Sequence, residues 1–156
     1  MPHPIDARAI HQALTTKETT IPDGLYLGAR CVDNAGTEYE YVRAAGTIAQ
    51  YDCVVITYAG LASSITTTNA GAIPQKVGVA QVSAVLNDYL WVARKGPMTV
   101  NVLASCLKDV KIYTTATAGA VDDTATTLIA GLVFQANNGG STAAVLAYAV
   151  DDLTVN

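Results

Sequence analysis

The sequence predicts an all-β protein, a single β-sandwich or barrel-like domain of short antiparallel strands that follows an extended N-terminal arm. Apolar and polar residues alternate over short stretches, as they do along a strand with one buried face. Turn signals containing glycine separate these stretches at roughly ten-residue spacing, which is typical of sandwiches and barrels. Beyond the arm, no segment combines helix caps with the length of a stable helix.

Residues 1–23 are predicted to form the arm, and residues 24–156 the β-domain. The arm contains both histidines and three of the five prolines. A short helix over 5–14 would place Ile10 and Leu14 on one side, where they are candidate contacts with another chain. Such a helix is marginal alone, so a disordered tail and an arm ordered by a neighbouring subunit both fit the composition.

The first hairpin is predicted over Leu25–Val32 and Thr37–Arg43. The turn signal between them, at 33–36, ends in a glycine placed for a positive φ. Side chains of a strand alternate between its faces, so the two segments should share one buried face.

The second strand of this hairpin places tyrosines and carboxylates on opposite faces. Tyr39, Tyr41 and Arg43 share one face, and Glu38 and Glu40 share the other. We expect the tyrosines to be buried or to contact another chain, and the carboxylates to be solvated. Paired carboxylates also serve glycosidases, so an enzyme built on Glu38 and Glu40 is an open alternative.

Two segments of opposite character follow. Residues 52–57 are largely apolar and rich in β-branched side chains, which predicts a short buried strand. Residues 59–73 are mainly Gly, Ala, Ser and Thr with few large side chains, which predicts a long surface loop.

The central stretch, 76–119, carries the single tryptophan. Trp91 lies in an alternating strand that also places Arg94 on the opposite face, and both are candidate protein contacts. Gly96–Pro97 predicts a turn, after which Met98–Leu103 returns as the second strand of a hairpin.

The C-terminal part predicts one more hairpin. Residues 128–135 read as a strand, in which Gly131 indicates a bulge or the close approach of another backbone. Asn137–Ser141 is a strong turn signal, and Ala143–Val150 is predicted to be the last strand.

No catalytic, cofactor-binding or metal-binding residue is predicted. Both histidines lie in the arm, and no phosphate-binding glycine motif or GxSxG is present. The pair Asp122–Asp123 reads as an ordinary turn, with a weak cation site as the alternative. The three cysteines have no metal-binding or disulfide spacing and should behave as small buried hydrophobes: Cys31, Cys53 and Cys106.

The charge and the hydropathy of the chain limit the classes of partner that it is expected to bind. A net charge of −4 with one adjacent basic pair, Arg94-Lys95, argues against nucleic acid. No apolar run is long enough to span a membrane, and the first residues do not resemble a signal peptide, so we expect a cytoplasmic product that binds no membrane. Only 14% of residues are charged, which fits either a β-protein with a neutral surface or a surface partly buried against other chains.

Several short motifs, taken in order, resemble those of small capsid decoration, or cement, proteins of tailed bacteriophages. The likeness extends over residues 25–150. The motifs are Gly36–Val42, Tyr51–Ile56, Val77–Ala80, Tyr89–Val92 with Gly96, and Ile129–Leu132.

The resemblance implies a structural virion protein, not an enzyme. It would be assembled in the host cytoplasm, bind the major capsid protein on the outer capsid surface, and self-associate, with a homotrimer favoured. Its low-affinity contacts would be summed over many copies. The alternative is a carbohydrate-binding β-module for host attachment that uses Trp91 and the tyrosines.

Overall fold

A computed structural model describes residues 14, 16–71, 76–138 and 142–155, the last range by its backbone. It confirms an all-β fold with 45% strand and 3% helix. The strands and the helix of the described residues are β1 Lys17–Glu18, β2 Arg30–Val32, β3 Glu38–Ala44, β4 Cys53–Ile56, β5 Leu61–Ser64, α1 Thr67–Ala70, β6 Lys76–Ala80, β7 Tyr89–Leu103, β8 Ile112–Thr114, β9 Val121–Asp122, β10 Leu128–Phe134 and β11 Thr142–Val155.

Five strands close into a barrel in the order β7-β6-β4-β5-β3 and back to β7. All neighbours in this ring are antiparallel except β3 and β5, which are parallel. Closure leaves no edge inside the ring. One hydrophobic cluster, which we call the inner core, takes side chains from all five strands: Val42, Ala44, Ile48, Val54, Ile56, Ala62, Ala80, Ala84, Leu90 and Val92.

β7 continues beyond this barrel into a second circuit of strand pairing. Its second half pairs with β11, and the pairing runs on through β10, β8 and β9 back to β7. A larger cluster, the outer core, joins the outside of the barrel to this second circuit. Its members include Tyr41, Cys53, Val79, Trp91, Val100, Ile112, Val121, Ile129 and Phe134.

Gly96 lies where β7 passes from one circuit to the other. Before it, Trp91 and Ala93 face the outer core, whereas after it Met98 and Val100 do so, which shifts the alternation by one residue. Gly96 has φ +93°, a conformation that side chains disfavour and that shifts the register at bulges. One long strand can therefore supply the same core along its whole length.

The predicted hairpin at Gly96–Pro97 is wrong, because β7 runs without a turn from Tyr89 to Leu103. The predicted loop over 59–73 is also wrong. It contains β5 and α1, and Ile65 is fully buried in the outer core.

Other expectations are confirmed. β2 and β3 form the antiparallel hairpin around the turn at 33–36, although β2 covers only Arg30–Val32 of the predicted Leu25–Val32. β4 is buried at every residue. Gly131 interrupts the pairing of β10 with β11 as a bulge with φ +83°. In the described residues, no helix has the length and apolar character needed to cross a membrane.

The described end of the predicted arm is attached to the barrel. Leu14 is 4% exposed in the outer core, and β1 pairs with Tyr89 and Leu90 of β7. The Lys17 ammonium lies 2.7 Å from a carboxylate oxygen of Asp88. Ile10 and the rest of the predicted helix lie outside the described residues.

The Lys17–Asp88 pair should make stability depend on acid pH. The Lys17 hydrogen bond and the Val85 N–H hold the pKa of Asp88 below its ordinary value of 3.8. A depressed pKa stabilises the fold above the unfolded-state value, and this contribution is lost as the pH falls through the lower folded-state pKa.

We therefore expect Asp88→Asn to be less stable than the wild type at neutral pH, with a difference that shrinks below pH 3.8. Urea unfolding across this range measures it. The matched control is Asp109→Asn, which removes a carboxylate with 70% exposure and should leave stability unchanged. A difference between Asp88→Asn and wild type that persists at the acid end would contradict the expectation.

Candidate functional site

One end of the barrel holds a buried carboxylate surrounded by cations, which we call the charged plug. Glu40 is 1% exposed, and its two oxygens lie 2.7 Å from the Lys76 ammonium and 3.2 Å from the Arg94 guanidinium. The exposed guanidinium of Arg30 approaches to 3.8 Å. Three cations thus surround one carboxylate at the end of the inner core.

The local sequence explains why these side chains converge. Glu40 lies two residues before Val42, Arg94 two after Val92, and all four share the inner face. Gly78 leaves room for the plug, because a Cβ there would lie 3.3 Å from the Arg94 Cδ atom. The aliphatic stem of Arg94 therefore packs across the glycine while its charged group reaches Glu40.

The expectation that Glu38 and Glu40 are both solvated is wrong for Glu40. Closure of the barrel buries both faces of β3, so the face opposite the tyrosines is also interior. Glu38, at 38% exposure, lies near the rim and pairs with Lys95 at 3.6 Å. Glu40 is held by its ion pairs, so its carboxylate serves the architecture of the barrel end.

The predicted aromatic contacts lie in the outer core. Tyr41 is fully buried, stacks on Tyr89 at a centroid distance of 6.2 Å, and contacts Trp91 at 5.0 Å. Trp91 is 2% exposed. Burial, followed by the charge of Glu18, raises the pKa of Tyr41 to about 12. The Tyr41 hydroxyl is therefore a protonated donor at neutral pH.

The Tyr39 hydroxyl is bound within the first hairpin. It donates to the Asp33 carboxylate at 3.3 Å, and that carboxylate also accepts the N–H groups of Ala35 and Thr37. Burial and the Asp33 charge raise the pKa of Tyr39 to about 12. Tyr39 thus stabilises the turn in the same chain.

Asp52 is a second buried carboxylate, at 6% exposure, and it joins parts of both circuits. It accepts the Ser64 hydroxyl at 2.7 Å, the Ala49 N–H at 3.0 Å and the Asn101 amide at 3.2 Å. Gly119 packs so closely that a Cβ there would lie 2.1 Å from the carboxyl carbon. These contacts fix β4 against β7.

Cys106, Asp122 and Asp123 bring their ligand atoms within 4.8 Å of one another, which the sequence spacing does not reveal. Burial, then the charges of Asp123 and Asp122, raises the pKa of Cys106 to about 12. Its sulfur therefore carries a proton at neutral pH, which a bound metal would have to displace. The arrangement by itself is an acidic cluster beside a buried thiol.

The bulge at Gly131 leaves an open groove of about 350 Å³ between residues 109–111 and 128–133. β8 pairs with β10 only at Leu128 and Ile129, so the next residues of β10 separate from the chain beside them. Gly131 therefore has a local structural role in the second circuit, where it forms the bulge next to this groove.

The structure brings together residues that sequence reasoning missed. Lys76 and Arg30 join Arg94 around Glu40, and Asp52 joins β4 to β7. Of the predicted contact residues, Leu14, Tyr39, Tyr41 and Trp91 are buried within this chain, and Arg94 keeps 14% exposure in the charged plug. Their role in contacts with other chains stays a prediction.

Comparison with protein-family models, with curated proteins and with solved structures gives no match to this chain.

Proposed function

We propose that this protein is a capsid decoration protein of a tailed bacteriophage, which binds the outer surface of the major capsid protein shell and stabilises it. The observation that carries the proposal is the surface of this β-protein, which has few charges and exposes large apolar side chains outside its two cores. Seven of them are at least 40% exposed and lie mainly in turns or next to them: Ile21, Tyr26, Val32, Tyr58, Val85, Leu86 and Leu107.

These side chains suit shallow contacts with other proteins. Tyrosine and aliphatic groups on turns contribute contact area at little entropic cost, and small contacts add up when a protein repeats over a shell. The resemblance of the motifs between residues 25 and 150 to decoration proteins supports the same role. The proposal includes self-association, with a homotrimer favoured, on the virion surface.

The carbohydrate-binding alternative has less support from the geometry. Sugar stacking requires an exposed ring, but Trp91 is 2% exposed and packs on Tyr41. Tyr26 and Tyr58 keep exposed rings, so a glycan array with the wild-type protein tests what remains of that alternative.

Binding to the shell is the test. Purified protein should co-sediment saturably with empty shells of the major capsid protein of the phage that encodes it, and should not pellet alone. Bovine serum albumin at the same concentration is the control for trapping. If the protein stays in the supernatant at every shell concentration, the proposed function is wrong.

A further inference from the structure

Arg43 differs from the other described cationic residues in being half-buried without a counter-ion. The other described Lys and Arg side chains have a carboxylate within 4.0 Å, except the exposed Lys111. Arg43 is half-buried, and its Nε atom is fully buried without a hydrogen-bond partner in the described structure. Lys111 can be hydrated, but the Arg43 Nε cannot, so an unmet donor remains beneath the surface.

The neighbouring side chain on the same face has the same property. The Tyr41 hydroxyl, two residues away on β3, is also buried and has no hydrogen-bond partner among the described residues. Its proton is retained at neutral pH, so it is a second donor. The Tyr41 hydroxyl lies inside the outer core, whereas Arg43 keeps part of its side chain at the surface, so Arg43 is the one of the two that a docking group can meet.

Two turns that carry exposed tyrosines lie beside the backbone at Arg43. The Arg43 N–H donates to the Gly60 carbonyl at 2.9 Å, and Gly60 belongs to the turn that carries Tyr58, which is 77% exposed. A Cβ on Gly60 would lie 2.9 Å from the Cβ of Leu27, next to Tyr26, which is 66% exposed. We call Tyr26, Arg43 and Tyr58 the tyrosine–arginine patch.

This composition is that of a protein-binding hot spot. Tyrosine and arginine dominate the side chains whose truncation weakens protein interfaces most. A guanidinium offers a planar fork of donors that fits a carboxylate. A single cation in a chain of net charge −4 does not make a nucleic-acid footprint, so a protein carboxylate is the better fit.

We propose that the tyrosine–arginine patch docks an acidic side chain of the capsid shell, with Arg43 as its counter-ion and Tyr26 and Tyr58 packing around it. This inference rests on the proposed function and names the face that binds. The bound carboxylate replaces water at the exposed part of the guanidinium.

The test compares binding with stability for the same variants. Arg43→Met keeps the length and apolar stem of the side chain but removes the charge. Because the Arg43 side chain has no counter-ion among the described residues, we expect thermal unfolding of this variant to occur at an unchanged or higher temperature. Loss of a charge-assisted contact should weaken co-sedimentation with shells by about 10-fold to 100-fold.

Two further variants separate charge from geometry. Arg43→Lys keeps the charge without the fork, so we expect binding between that of the wild type and Arg43→Met. Lys108→Met removes one exposed positive charge from the second circuit, where the side chain is 56% exposed, and should bind like the wild type.

Each outcome decides a distinct point. If Arg43→Met binds like the wild type, the patch is wrong while the proposed function stands. The patch is also wrong if Arg43→Met unfolds much earlier than the wild type, or if Lys108→Met weakens binding equally. If the wild-type protein does not bind shells, the proposed function fails and this inference fails with it.

Discussion

Glu40→Gln is expected to lower the free energy of unfolding by about 3 kcal/mol, because it leaves two buried or half-buried cations without their carboxylate. Breaking a buried ion pair by removing one partner costs about 3–5 kcal/mol. We place Glu40 at the lower end since Lys76 keeps 35% exposure and can recover hydration, whereas Arg94 keeps 14%. Urea unfolding followed by tryptophan fluorescence measures the difference.

The matched control is Glu38→Gln on the same face of the same strand. Glu38 is 38% exposed and its partner Lys95 is 3.6 Å away, so the loss should stay below about 0.5 kcal/mol. The triple variant Glu40→Leu, Lys76→Met and Arg94→Met replaces the ions with apolar groups and should recover most of the lost stability. Equal losses for Glu38→Gln and Glu40→Gln would show that the charged plug is not a structural ion cluster.

Gly96→Ala is expected to lower stability by about 3 kcal/mol or more. Placing a side chain at φ +93° costs about 1–2 kcal/mol. In addition, the new Cβ would lie 2.9 Å from the Gly36 carbonyl oxygen and from the Thr37 Cα. Both are backbone atoms, and the Thr37 hydroxyl is bound to the Pro97 carbonyl at 2.7 Å, so the contact cannot relax without separating β7 from the first hairpin.

Gly28→Ala isolates the first of these contributions. Gly28 has φ +87° and donates to the Tyr41 carbonyl, but no atom of the described residues lies within 4 Å of its added Cβ. It should therefore lose only the conformational contribution of about 1–2 kcal/mol. Thermal unfolding of both variants compares them, and an equal loss would mean that the hairpin does not press on β7 at Gly96.

Features encoded by neighbouring residues were predictable from the sequence. The turn at 33–36 ends in a glycine that adopts φ +84°, and the β-branched run of β4 is buried as expected. α1 was missed although Thr66 and Asn69 form a capping box, a local signal hidden by the small side chains around it.

Features that depend on distant residues were not predictable. Gly96–Pro97 has the composition of a turn, and only the pairing of β11 with the second half of β7 shows that the strand continues. In the sequence, Glu40 has the spacing of a solvated carboxylate on an alternating strand. Its partners Lys76 and Arg94 lie 36 and 54 residues away, so local spacing does not reveal these ion pairs. The unpartnered state of Arg43 likewise depends on which carboxylates the fold brings near.

The most direct test of the central claim is the temperature at which capsid shells lose integrity with and without this protein. Empty shells are incubated with saturating wild-type protein, with Arg43→Met at the same concentration, or with buffer, and disruption is followed by light scattering and by dye access during heating. The account predicts a higher disruption temperature with the wild type than with buffer, and a smaller increase with Arg43→Met. Shells that break at the same temperature with wild-type protein and with buffer would contradict it.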